Sequence, residues 1–170
     1  MLRLSAIALA LIFTTEFLVT LVGPSNEGRA LAVPIQDDRQ SDNKQITTDV
    51  QATLDAQVAA WNKGDIPGFM AGYVNTEELR FASGNSIITG WKTTLERYQK
   101  RYSDRQLMGT LAFRNITITP LSDEYTEVFG EFHLARDSDT GDMEGLFTLL
   151  MKNTEKGWLV LHDHTSSAGE

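Results

Sequence analysis

Apolar residues recur every three or four positions in the first half of this chain and every second position in the second half. Ile46, Val50, Leu54, Val58 and Trp61 follow at steps of four, four, four and three. That spacing lays them along one stripe of a helix. Thr48 and Gln51 have the spacing of a capping box. Asn62-Lys63-Gly64 ends the helix, with the glycine suited to a left-handed stop. Asp65 then caps a second, short helix, with Pro67 in its first turn and Phe69, Met70 and Tyr73 on its buried side. Leu79 to Ser83 reads as a short strand, and Gly84-Asn85 turns it into a second over Ser86 to Thr89. Gly90 opens a third helix striped by Trp91, Leu95, Tyr98 and Tyr102, with Glu96 and Lys100 paired on its wet side.

After Ser103-Asp104 the period falls to two. The pattern predicts long strands over Leu107 to Thr119, Thr126 to Arg136 and Leu146 to Lys152, and a closing strand over Gly157 to Ser166. The first of these is long and its alternation slips at Arg114-Asn115, where a bulge is expected. Short polar links between long strands predict an antiparallel meander. The order α-α-β-β-α-β-β-β-β, with helices ahead of a mainly antiparallel sheet, predicts an α+β domain whose three helices pack in a curved sheet.

Composition changes the picture at the N-terminus. Arg3 precedes apolar runs from Leu4 to Phe13 and from Phe17 to Val22, and Ala30-Leu31-Ala32 has the small-x-small form of a cleavage site. Residues 1–32 therefore read as a signal peptide and the protein as exported, periplasmic or secreted, with Val33 as its mature start. An uncleaved anchor is the alternative. A permanent membrane span is not expected, because Glu16 interrupts the run and a mid-bilayer carboxylate costs about 2.5–3.5 kcal/mol. Residues 33–44 are polar and aperiodic and read as a flexible tail ahead of a domain over 45–167. The chain's formal charge is −8, without a basic stripe, which argues against nucleic acid as a partner. There is no cysteine, which excludes a disulfide scaffold, a thiolate nucleophile and a lipidated cysteine anchor.

Several phrases in this order resemble a known superfamily. Ala60-Trp61-Asn62-Lys63-Gly64-Asp65, Ile88-Thr89-Gly90-Trp91 and the closing Gly157-Trp158-Leu159-Val160-Leu161-His162-Asp163-His164-Thr165-Ser166 are similar to segments of SnoaL-like proteins of unassigned function. These belong with nuclear transport factor 2 and ketosteroid isomerase. The last phrase is also similar to the end of the calcium/calmodulin-dependent kinase association domain. The resemblance spans about residues 45–167 and implies a cone-shaped roll with a pocket between sheet and helices. The same fold hosts enzymes, binders and assembly domains, so residues must decide function. Isomerase chemistry needs a carboxylate base and two oxyanion donors, a Tyr and a protonated Asp. Matched through Asn62-x-Gly64-Asp65, those positions fall at Ala82 or Ser83 for the base, and at Gln57 and Phe147 or Thr148 for the donors. None carries the required group. SnoaL-like cyclases imply an acid/base residue on the pocket face of the sheet.

The candidates for such chemistry lie mainly on the long strands. His162 and His164, two apart on a strand, share a face and are the candidate catalytic pair, since imidazole titrates near neutrality. They fit a strand end or subunit interface equally well in kind. By parity Trp158, Val160, His162 and His164 share one face and Leu159, Leu161 and Asp163 the other. Glu131 and His133 face either the pocket with these or the outside of the sheet. Arg80 would select an anionic ligand if it faced the pocket. Trp61 and Tyr98 are candidate aromatic walls, and Asp163 a further ligand contact. A zinc site would need His133 to join His162 and His164, and no spacing fixes that, so neither metal nor cofactor is expected. Asp137, Asp139, Asp142 and Glu144 lack the pattern of a calcium loop. The expectation is a domain that binds a small, partly apolar molecule and forms a homodimer through its sheet. The alternatives are an acid/base enzyme of isomerase, cyclase or hydrolase type and a non-catalytic oligomerisation module.

Overall fold

The computed structural model describes residues 35–137 and 139–167; the expected signal peptide lies outside them. The elements are α1 (Ile35–Asn62), α2 (Ile66–Met70), β1 (Arg80–Ser83), β2 (Ser86–Thr89), α3 (Trp91–Arg101), α4 (Arg105–Met108), β3 (Thr110–Pro120), β4 (Tyr125–Ala135), β5 (Met143–Thr154) and β6 (Gly157–Ser167). The strands form one curved six-stranded sheet in the order β2-β1-β6-β5-β4-β3, with the helices on its concave side. The expected α+β cone is the observed fold.

Two expectations change. Helix α1 spans Ile35–Asn62, so residues 35–44 of the stretch read as a tail are helical. From Asp38 to Thr48 its side chains are exposed apart from Ile46, which is half-buried. Hydroxyls bond back to preceding carbonyls here: Ser41 Oγ donates to Asp38 O at 2.7 Å, Thr47 Oγ1 to Asn43 O and Thr48 Oγ1 to Lys44 O, each at 2.9 Å. Thr48 therefore sits within the helix and caps nothing. The core-facing stripe begins at Val50 and continues through Leu54, Gln57 and Trp61, all buried. The second change is α4, which occupies the expected start of the first long strand. Asp104 Oδ1 accepts from Leu107 N at 2.9 Å, capping one helical turn, and Gly109 ends it at φ 61°. Leu107 and Met108 thus belong to a turn whose polar cap outweighs their strand-like pattern.

The phrase Trp61-Asn62-Lys63-Gly64-Asp65 proves to be a joint. Trp61 Nε1 donates to Met108 O at 3.1 Å. Asn62 clamps the backbone of β3, donating to Leu111 O at 3.0 Å and accepting from Leu111 N at 2.7 Å. Arg105 Nη1 donates to Trp61 O at 2.9 Å, satisfying a carbonyl at the end of α1. Asp65 caps α2 by accepting from Gly68 N at 2.8 Å. Each side chain here closes the corner between α1, α2 and β3.

The sheet carries two irregularities that decide which side chains face the helices. The register of β3 on β4 shifts between Arg114 and Thr117, with Asn115 at φ 52°, where the slip in alternation predicts a bulge. The other lies in β6. Met151 pairs with Val160, but Leu150 pairs with His162, leaving Leu161 as an extra residue. Strand β6 changes neighbours at this point. Before it, Val160 bonds to the backbone of Gly72 and Val74; after it, His162 to Thr165 run parallel to Arg80–Ser83 of β1.

Candidate functional site

The bulge at Leu161 reverses the parity of the closing strand. Trp158 and Val160 are buried on the concave side, and beyond the bulge Asp163, Thr165 and Ser167 take over that side and line a cavity. His162 and His164 alternate with them and are absent from the cavity wall. In β1 their register partners are Arg80 and Ala82, which alternate with the cavity-lining Phe81 and Ser83. Continuous parity would put the two imidazoles with Trp158 and Val160; the bulge gives that place to a carboxylate.

The deep wall of the cavity is aromatic. The Trp61 ring meets Phe69 at 5.1 Å and Tyr102 at 4.8 Å between centroids, both edge-on, and Tyr98 lies 5.3 Å from Phe69. Facing them from the sheet are Phe113, Phe132 and Phe147. The positions that the isomerase comparison singles out are on this wall too, as Gln57, Ser83 and Phe147. Gln57 Nε2 donates to Phe69 O at 3.2 Å, so its amide holds α2 in place. The free interior measures about 80 Å3, below the roughly 300–1,000 Å3 of sites that enclose drug-sized molecules.

One carboxylate lies among these rings. Asp163 is 4% exposed. Its Oδ2 accepts from the Tyr73 hydroxyl at 2.8 Å and its Oδ1 from the Thr165 hydroxyl at 2.6 Å. Burial raises its pKa above the ordinary carboxylate value. The Thr165 and Tyr73 hydrogen bonds and the imidazoles of His162 and His164 act in the opposite direction and offset only part of it. Tyr73 and Tyr98 are held well above the usual phenol pKa, first by burial and then by the charge of Asp163, so both remain protonated. The result is a carboxylate with two committed donors, set against a cavity of rings. It can take a proton or meet a donor from a bound molecule.

Residues of α3 and of the ends of β1, β5 and β6 complete the lining. Arg97 is half-buried and Arg101 exposed, four residues apart on α3, and both line the cavity. The Arg97 guanidinium lies 4.7 Å above the Phe81 ring.

Of the residues read from sequence as site candidates, Trp61, Tyr98 and Asp163 meet in this cavity. Arg80 is exposed on the convex side of β1. Glu131 and His133 also lie on the convex face, in a shallow recess with Arg114, Glu144 and Leu146. There Arg114 Nη2 is 3.3 Å from His133 Nδ1, and His133 Nε2 is 3.2 Å from Asp142 Oδ2. A guanidinium only donates, so this geometry makes Nδ1 the acceptor and Nε2–H the donor to Asp142. Asp142 is held below its ordinary pKa, chiefly by the backbone N–H of Arg136. Among the described residues, no group of three or more His, Asp or Glu side chains is placed to hold a metal ion. None of their helices is long and apolar enough to cross a membrane. Sequence reading takes Tyr73 as core and does not single out Thr165, Arg97 or Arg101. The i,i+4 spacing of the two arginines beside the Tyr98 stripe is the one signal that would have drawn attention to them.

No protein-family model matches the chain, and no curated protein matches it. Among solved structures, a nuclear transport factor 2-like protein of unknown function from Shewanella oneidensis MR-1 is 36% identical, with a TM-score of 0.67 over 71% of this chain and 98% of that one. Two others share the fold at low identity. A nuclear transport factor 2-like protein with a cystatin-like fold from Novosphingobium aromaticivorans is 10% identical, with a TM-score of 0.66 over 82% of this chain and 93% of that one. A ketosteroid isomerase-like protein from Erwinia carotovora atroseptica SCRI1043 is 18% identical, with a TM-score of 0.53 over 71% of this chain and 95% of that one.

Proposed function

The chain belongs to the nuclear transport factor 2-like family, and from that premise we propose that it is an exported domain that binds a small, partly apolar molecule in its cone. The observation that carries this reading is Asp163, a buried carboxylate held by Tyr73 and Thr165 at a cavity rich in aromatic rings. A plain assembly domain gains nothing from such a group. Burying a carboxylate is costly even when hydrogen-bonded, and an apolar residue of similar size would pack there without that cost. The free volume supports an occupant no larger than a single ring or a short chain.

The raised pKa of Asp163 favours a second reading, proton transfer to or from the bound molecule. Within the cavity that role falls to Asp163 rather than to His162 and His164, whose strand positions alternate away from it. The two imidazoles belong instead to the convex face, where Phe129 and Leu146 are exposed and where we place the second copy of a homodimer.

Mass spectrometry of the protein recovered from the exported fraction tests the first reading. Under native conditions a non-covalent small-molecule adduct is expected, released on denaturation and lost in Asp163→Ala. The denatured chain should begin at Val33. An adduct-free native mass at every stage of purification removes the binding reading, and a chain still carrying residues 1–32 removes cleavage at Ala32.

A further inference from the structure

We infer that the buried end of the cavity takes a small neutral molecule bearing a hydrogen-bond donor, a hydroxyl or an N–H, on one apolar ring or short chain. This deepens the binding reading and rests on it. Asp163 belongs to a run of hydroxyl-bearing side chains along the cavity wall, with Tyr98, Tyr73 and Thr165. Tyr73 donates to its Oδ2 at 2.8 Å and Thr165 to its Oδ1 at 2.6 Å. The Tyr98 hydroxyl shares a further hydrogen bond with that of Tyr73. A hydroxyl has a single proton. Tyr73 spends its own on Asp163, so Tyr98 supplies the one between the two phenols. Every hydroxyl proton of the run is then used inside it, and an ionised carboxylate adds none. The run has only lone pairs left to offer, and a bound molecule must bring the proton.

A molecule with only an acceptor would set its lone pairs against those of Asp163 with no proton between them, which is costly away from water. The other polar groups of the wall do not change this. Gln57 is buried, and its amide donates to Phe69 O at 3.2 Å. Ser83, Ser167 and Arg97 are half-buried, and Arg97 stacks on the Phe81 ring. Protonation of Asp163 reverses the selection. The run then holds one proton more than its internal bonds use, and that proton is offered to an acceptor. Several other titratable or charged groups stand near Asp163. Tyr73 and Tyr98 stay protonated, and Arg97, Arg101 and Tyr102 line the same cavity from α3 and its C-terminal end. His162 and His164 flank Asp163 on β6, and imidazole ordinarily titrates near neutrality.

Benzyl alcohol and anisole are isomers, and only the alcohol has a proton to donate. Each is titrated into the full chain at about pH 8 and about pH 4 and followed by two-dimensional NMR at the resonances of Ser83, Phe113 and Phe147. At the higher pH the alcohol should bind at least about tenfold more tightly, the difference expected of a hydrogen bond to a charged group. The lower pH lies close to the ordinary carboxylate value and below the raised value of folded Asp163, and there the preference for the alcohol should disappear. Asp163→Asn carries amide protons at every pH and should favour anisole at both. Its binding of anisole shows that the variant is folded and its cavity intact. Equal affinities at the higher pH overturn the donor selection and leave the binding reading standing. So does an alcohol preference that persists at the lower pH, a comparison that needs no variant. A preference in Asp163→Asn that still moves with pH assigns the change to His162 and His164 and overturns the role of Asp163. If neither isomer moves the cavity resonances at either pH, the binding reading fails and the donor selection with it.

Discussion

Asp163 carries a carboxylate into a space that offers it almost no water, and this fixes the sign of its effect on stability. Its pKa is raised in the folded chain, so the folded state holds that proton more tightly than the unfolded state does. Its contribution is full below the unfolded value of about 3.9 and is lost as the pH rises through the raised folded value. Asp142 is shifted the other way, and what it contributes is lost only as the pH falls below the ordinary carboxylate range. Asp163→Asn should therefore abolish a decline in stability as the pH rises above about 4. Urea midpoints of both proteins, taken across that range, measure it. Two parallel profiles would mean that Asp163 does not titrate there. The sequence marks the residue as a candidate, but its surroundings were not legible. Tyr73 looks like any core aromatic in a short helix stripe, and nothing in the local sequence links it to a strand ninety positions on. The flanking imidazoles carry the more familiar chemistry, and so attract the catalytic assignment to the side of the sheet away from the cavity.

The elements were legible where one period dominated. Strand β2 has the bounds that the alternation and the Gly84-Asn85 turn predict, and the bulge at Asn115 lies where the alternation slips. They were less legible where a polar cap or a change of neighbour decided. Helix α4 is capped by the Asp104 carboxylate, which accepts from Leu107 N. The bulge at Leu161 has no local mark at all, because it arises where β6 leaves the segment around Tyr73 and joins β1. The close approach of β5 to β6 likewise involves a glycine whose role only the packed structure reveals. A Cβ on Gly145 would run into the backbone carbonyl of Ser166 on β6, with the Phe132 ring also close. Backbone cannot swing aside as a side chain can. Gly145→Ala should therefore lower stability by about 1–3 kcal/mol, seen as a lower urea midpoint with an unchanged slope. A neutral substitution would show that β5 and β6 separate there at no cost.

Across the whole molecule the sheet has one face committed to the helices and one face that is mixed. The convex face of β4 and β5 presents Glu127, Phe129, Glu131, Glu144 and Leu146. Apolar side chains among carboxylates suit a two-fold interface whose centre is dry and whose rim is wet. Leu146→Glu would add a further carboxylate from each copy to an already acidic face, and should raise the dimer dissociation constant by at least about tenfold. Analytical ultracentrifugation across a concentration series reads this directly. A protein that is monomeric before the change removes the dimer from the proposal. The parallel pairing of β1 with β6 has a consequence in time as well as in space. The segment from Gly72 to Ser83 gains its parallel neighbour only with the last strand of the domain, and Trp158, Val160 and Asp163 enter the core with it. Contacts this distant in sequence form late, because a long loop must close before they repay it. A ribosome that has released everything up to β5 has therefore released a chain that cannot yet close its cone. For a chain exported as we propose, that delay keeps it threadable until β6 is made.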